Sequence, residues 1–152
     1  MDKYQFLRLY KALVRPHLDF ADIIYFPTTK KNKQIVENVQ RRATRLVPGF
    51  KELDYETRLK ELNLPTLQYR RDRGDLIFVF KILHNLVDID YSLFFSKKSD
   101  GHEINTRGHS LKLHKPRASK NIRINAFSHR IIDNWNALLE NIYSICKECD
   151  NF

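Results

Sequence analysis

Cys146-Lys147-Glu148-Cys149 has the spacing of half a zinc site. A structural zinc takes four ligands, usually from two such pairs or from one pair with histidines, and the six histidines here are scattered. Only His109 and His114 stand at a ligand-like spacing, in a loop followed by a strand-like segment. No βαβ pattern surrounds the cysteines, so a thioredoxin-like site is not indicated, and two cysteines in an intracellular chain read as reduced thiols. Phe20-Ala21-Asp22-Ile23 pairs an aromatic residue with one carboxylate. Two adjacent aspartates on a tight hairpin are needed to hold the metal ions that align a reacting phosphate, and Ile23 occupies the second place. Asp72 and Asp75 lie among Arg70, Arg71 and Arg73 and read as ion-pair partners, not as an acid–base pair. There is no nucleophile elbow, phosphate-cradling glycine loop or His-Glu-x-x-His. The expectation is a chain that is not an enzyme by itself, with no metal, no cofactor and no small-molecule substrate.

What remains is cationic chemistry, and its placement matters more than its total. Between Ile104 and Ile132 there is no acid, while Arg107, Lys112, Lys115, Arg117, Lys120, Arg123 and Arg130 contribute +7. Between Ile23 and Lys51 the only acid is Glu37, against Lys30, Lys31, Lys33, Arg41, Arg42, Arg45 and Lys51, giving +6. The formal charge of +9 thus leaves −4 for all other residues. Charge concentrated in this way is the electrostatic footprint of a polyanion binder, whereas solubility would be served by scatter. Candidate phosphate contacts are Arg41, Arg42, Arg45, Arg70, Arg71 and Arg73, with Arg107, Lys112, Lys115, Arg117, Lys120 and Arg123 as a second basic surface.

The elements that must position these residues read as helices. An apolar fraction of 42% with ten Phe and seven Tyr supports a core, and only four Gly and five Pro leave little room for the turns of an all-β fold. No segment approaches a membrane span, and Met-Asp-Lys-Tyr-Gln is not a signal peptide, so an intracellular chain is expected, nuclear or cytoplasmic. Residues 3 to 14 have helical spacing, Pro16 interrupts, and His17 to Phe26 forms a second short helix. A third helix, capped by Asn32, runs from Lys33 to Val47. It has Ile35, Val36, Val39, Ala43, Leu46 and Val47 as its buried stripe and Arg41, Arg42 and Arg45 on another face. Asp54 caps a helix to Leu62. Pro65 and Thr66 open a central helix to Leu86, basic and wet at first, then apolar all round from Leu76 and therefore wrapped by the rest of the chain. Tyr91 to Phe95 is an apolar anchor, and Ser96 to Asn105 a polar connection. Alternation over Ser110–His114 and Asn121–Asn125 suggests a basic β-hairpin, or else a basic loop. Phe127 to Ile142 is a helix with Trp135 as a core anchor. The predicted fold is mainly α: a compact bundle around a central long helix (1–86), a connecting segment (87–105), the hairpin or loop with a C-terminal helix packing on the bundle (106–142), and a tail (143–152).

Several stretches occur in the order found in one family. Leu13-Val14-Arg15-Pro16-His17-Leu18-Asp19-Phe20-Ala21, Val39-Gln40-Arg41-Arg42-Ala43-Thr44-Arg45 and Tyr55-Glu56-Thr57-Arg58-Leu59 are three of them. Leu64-Pro65-Thr66-Leu67, Arg70-Arg71-Asp72-Arg73-Gly74-Asp75-Leu76, Thr106-Arg107-Gly108-His109 and the spaced set Phe127, Arg130, Trp135 and Asn136 continue it. Together they resemble the region just after the polymerase palm in jockey-like non-LTR retrotransposon reverse transcriptases, over residues 7 to 140. The family's Trp-Asn-x-Leu-Pro is met except that Leu139 replaces the proline. The resemblance implies a helical thumb and post-thumb region, which in the family grips the primer–template duplex while palm and fingers polymerise. It also implies a fragment of an RNA-directed DNA polymerase from a transposable element, without palm, fingers or catalytic aspartates.

The leading expectation is a nucleic-acid-binding remnant whose partners are RNA, DNA or an RNA–DNA hybrid, together with the missing palm and fingers, and no membrane. One rival is a piece of a full reverse transcriptase whose activity lies upstream. The other is a protein-interaction scaffold that uses the apolar face left bare without a palm.

Overall fold

The computed structural model describes residues 2–20, 23–24, 26–98 and 111–138. The fold is mainly helical, as the low Gly and Pro content and the helical spacing predict. The chain divides into two compact units, Met1–Gly74 and Asp75–Phe152. No helix among the described residues is long and apolar enough to cross a membrane.

The first unit opens with α1 (Lys3–Leu9), held by a reciprocal cap between Asp2 and Gln5. The interruption at Pro16 takes the form of a π-helical turn, Tyr10–Val14, followed by α2 (Arg15–Asp19) with the proline in its first turn. The chain leaves the helix at Asp19, short of the predicted end at Phe26. Helix α3 spans Lys30–Thr44, and its cap is Thr29, not Asn32: the Thr29 hydroxyl accepts from the Asn32 N–H at 3.1 Å. Helix α4 (Tyr55–Leu62) starts at Asp54 as expected and ends at Asn63, whose φ of 48° gives the left-handed C-terminal conformation. Phe6, Tyr10, Val47, Tyr55, Leu59, Leu62 and Leu64 form the core of this unit.

The Asp54 cap makes a pH prediction. Its carboxylate accepts from the Thr57 hydroxyl at 2.5 Å and the Thr57 backbone N–H at 3.1 Å. These bonds, the hydroxyl first, hold its pKa below the ordinary carboxylate value. The cap's contribution is therefore fully present above that ordinary value and is lost as pH falls through the lower folded value. In a carboxyl-carbon NMR titration Asp54 should titrate below the ordinary value and move back up in Thr57→Val. An ordinary midpoint in the parent chain would remove this cap from the account.

Helix α5 (Leu67–Leu83) begins where Thr66 caps it, the hydroxyl accepting from the Tyr69 N–H at 3.2 Å. The prediction of burial all round its second half is corrected. Val79, Ile82 and Leu83 are buried, but Ile77 stays exposed, so the helix keeps one buried stripe.

In the second unit Phe127 gathers Phe78, Phe94 and Phe95 at centroid distances of 5.6, 6.5 and 5.7 Å. The predicted hairpin is replaced by different structure. Leu113 forms an isolated antiparallel bridge with Lys97, and Asn121–Asn125 is a short helix, α6. Ile122 and Ile124 are exposed, so their alternation served no sheet. The predicted C-terminal helix is broken at Ile131 into α7 (Phe127–Arg130) and α8 (Ile132–Asn136). Trp135 is buried and its indole N–H donates to the Leu111 carbonyl at 2.8 Å, the core role expected of it. The Asn136 amide clamps Leu113 by both its N–H and C=O, each at 2.8 Å.

Candidate nucleic-acid interface

Helix α3 and the turn after it keep part of the predicted stripe: Val47 is buried, Ala43 packs against the core and Val36 is half-buried. Ile35, Val39 and Leu46 are exposed (55%, 41% and 68%), whereas Gln40 and Thr44 are buried at 1% and 0%. The buried face is polar because α3 packs over two tyrosine hydroxyls and a loop carbonyl. Tyr10 Oη donates to Gln40 Oε1 at 2.6 Å, and Gln40 Nε2 donates to Tyr55 Oη and the Pro65 carbonyl, each at 3.0 Å. The Tyr55 hydroxyl donates to Glu37 Oε1, and Glu37 Oε2 accepts from the Leu67 N–H at 3.1 Å, at the start of α5. Burial pushes the Tyr10 hydroxyl up to about 12 and raises that of Tyr55, with the Glu37 bond as the second cause there. Both phenols are therefore neutral donors at ordinary pH.

This network decides the state of the arginines. Glu37 stands one helical turn before Arg41, the position from which an acid could pair with it, but its carboxylate is occupied by Tyr55 and Leu67. Arg41, Arg42 and Arg45 lie toward solvent, and none has a carboxylate partner among the described residues. Arg41 lies over the Tyr55 ring at 4.4 Å from its centroid. These cations sit together at the C-terminal half of α3, as predicted.

Two predicted members are otherwise engaged. Arg70 grips Asp19, Nη2 to Oδ2 at 2.6 Å and Nε to Oδ1 at 3.4 Å, with Arg15 Nε 3.6 Å from the same carboxylate. Arg71 is buried, and its Nη2 donates to the Leu18 carbonyl at 2.9 Å. Both tie α5 to the end of α2, so the first half of α5 is not the wet basic surface predicted. Arg73 is exposed. Asp72 accepts from Gln68 Nε2 at 2.8 Å, and Asp75 pairs with Arg130, far along the chain.

In the second unit Arg117, Lys120 and Arg123 are exposed, Lys112 is half-buried, and Lys115 pairs with Asp133. Lys115, Pro116, Arg117, Ala118, Ser119 and His129 line an open cleft of about 630 Å³. Arg107, His109 and the two cysteines lie outside the described residues. Among those described, no group of three His, Cys, Asp or Glu could hold a metal ion.

The residue that sequence reasoning missed is Arg58. It is 2% exposed, its Nη1 donates to the Arg41 carbonyl at 3.1 Å, and its guanidinium lies 5.6 Å from the Tyr55 ring centroid. Its place in Tyr55-Glu56-Thr57-Arg58-Leu59, one turn after the Asp54 cap and beside Leu59 of the core, was the available signal. Compared with family models, curated protein sequences and solved structures, the chain matches none.

Proposed function

We propose that this chain is a nucleic-acid-binding helical module that holds a duplex by its phosphates, a thumb-like remnant of a retrotransposon RNA-directed DNA polymerase. The observation that carries the binding is the set Arg41, Arg42 and Arg45 at one end of α3, without carboxylate partners among the described residues. Glu37, the acid one helical turn before Arg41, hydrogen-bonds to Tyr55 and Leu67 instead. Arg73 adds a further exposed cation in the same unit, and Arg117, Lys120 and Arg123 supply basic surface in the other. Contacts of this kind position a backbone and carry little sequence preference. The polymerase origin rests on the ordered motif resemblance alone.

Replacing Arg41, Arg42 and Arg45 together by Ala should weaken duplex binding and flatten its log–log salt slope by about 2.7, at about 0.9 for each phosphate no longer neutralised. An unchanged slope would take α3 out of the interface. The exposed Ile35, Val39 and Leu46 favour a second reading, a protein-interaction scaffold, for which a strictly monodisperse monomer at rising concentration would be adverse.

A further inference from the structure

Arg58 is the chain's anomalous charge. A buried guanidinium ordinarily faces a carboxylate, because an unpaired buried charge is costly. Arg58 has no carboxylate ion pair among the described residues, and its Nε is buried with no hydrogen-bond partner. Its neighbours make this worse: after burial, the charges of Arg45 and Arg41 lower its pKa. The charge of Asp54 acts in the opposite direction, from a carboxylate whose hydrogen bonds go to Thr57. The Arg58 guanidinium thus feels the charges of both Arg41 and Arg45, with the Asp54 carboxylate opposing them.

The backbone beneath them is prepared for this. The C-terminal end of a helix presents carbonyls that repel an anion. Here the Arg41 carbonyl is covered twice, by Arg58 Nη1 at 3.1 Å and by the Thr44 hydroxyl at 3.1 Å. Tyr55 fixes the geometry, its ring lying 4.4 Å from the Arg41 guanidinium and 5.6 Å from that of Arg58. The neighbouring cleft of about 700 Å³ has a different character: Lys30, Lys33 and Arg41 are balanced there by Glu37, Asp54 and Glu56.

We propose that Arg41, Arg45 and Arg58 form one phosphate-binding site at the end of α3. Arg41 and Arg45 touch the phosphate oxygens from the solvent side, and buried Arg58 acts as the positioning residue that orders Arg41 and adds its charge from the interior. An anion there relieves the repulsion, so this site binds phosphate more tightly than isolated surface arginines do. The inference rests on the phosphate-gripping reading and narrows it to one site, whose phosphate belongs either to a nucleic-acid backbone or to a free terminal group.

The test follows arginine Nε–H NMR signals of the full chain during pyrophosphate addition, with sodium chloride at matched ionic strength as control. The expected result is saturable movement of the Arg41, Arg45 and Arg58 signals, absent with chloride. Arg45→Gln, a change outside the core, should weaken pyrophosphate by about tenfold, the loss of one charge-assisted hydrogen bond. Arg58→Lys, which keeps the charge and loses the fork, should weaken it while leaving the Arg42 signal unmoved. Displacement by a 5′-hydroxyl oligonucleotide identifies backbone phosphate as the ligand, and displacement only by the 5′-phosphorylated form identifies a terminal phosphate. Movement equal in pyrophosphate and chloride would overturn the site. Salt-dependent duplex binding that survives such a result would leave the broader reading standing, and its absence would remove that reading as well.

Discussion

Arg130→Ala should cost about 3–5 kcal/mol of stability, measured by denaturant unfolding, because it takes the two-pronged partner away from a buried carboxylate. Asp75 is only 3% exposed, and both its oxygens are held by Arg130, Nε to Oδ2 and Nη2 to Oδ1, each at 3.0 Å. The same guanidinium donates from Nη1 to the Asn125 carbonyl at 3.2 Å, at the end of α6, and lies 5.7 Å from the Phe127 ring centroid. One side chain therefore joins α5, α6 and α7 within the second unit. Replacing both partners, Asp75→Leu with Arg130→Met, should recover part of the loss. A single-variant cost near that of an exposed pair, below about 1 kcal/mol, would mean that Asp75 is readily hydrated.

Gln40→Ala is expected to cost roughly 3 kcal/mol by leaving several buried groups short of partners. Tyr10 Oη loses its acceptor, and Tyr55 Oη and the Pro65 carbonyl each lose a donor. These groups belong to the π-helical turn, α4 and the approach to α5, so the loss spreads across the first unit. A double-mutant cycle isolates the network from mere volume: Tyr10→Phe should cost less in the Gln40→Ala background than in the parent chain. Additive costs would mean that the two groups do not cooperate.

The two expected losses mark where the sequence was legible and where it was not. Local signals held: Asp54 and Thr66 cap the helices they precede, and Trp135 is an anchor, because these roles depend on neighbours a turn away or on a helix's own apolar stripe. Asp75 and Arg130 lie 55 residues apart, and no spacing rule links them. On α3 the apolar residues suggested a buried face, yet Gln40 and Thr44 are inside while Ile35 and Leu46 are outside. Hydrophobic periodicity assumes an apolar partner surface, and here the partners include two tyrosine hydroxyls and a carbonyl. The alternation through Ile122 and Ile124 misled in a similar way, since a short helix can carry it with both side chains exposed.

For the candidate interface, composition located the basic stretches but not which cations were free. Arg41, Arg42 and Arg45 keep no carboxylate partner among the described residues, whereas Arg70 and Arg71 serve the packing of α5 against the end of α2. Arg73, on α5 with Arg70 and Arg71, is exposed, whereas those two reach Asp19 and the Leu18 carbonyl. Arg58 stands with Lys60 among acids and leucines, and its position under α3 depends on tertiary packing.

The most direct test of the central claim is the affinity of the full chain for an RNA–DNA hybrid, a DNA duplex and single-stranded RNA at several salt concentrations. A phosphate-gripping module should lose affinity steeply with salt, with a log–log slope of about −0.9 per phosphate for duplex DNA. A thumb-like grip should also prefer the hybrid. Weak binding to all three ligands with no salt slope would contradict the account and leave the arginines of α3 as a solvated surface.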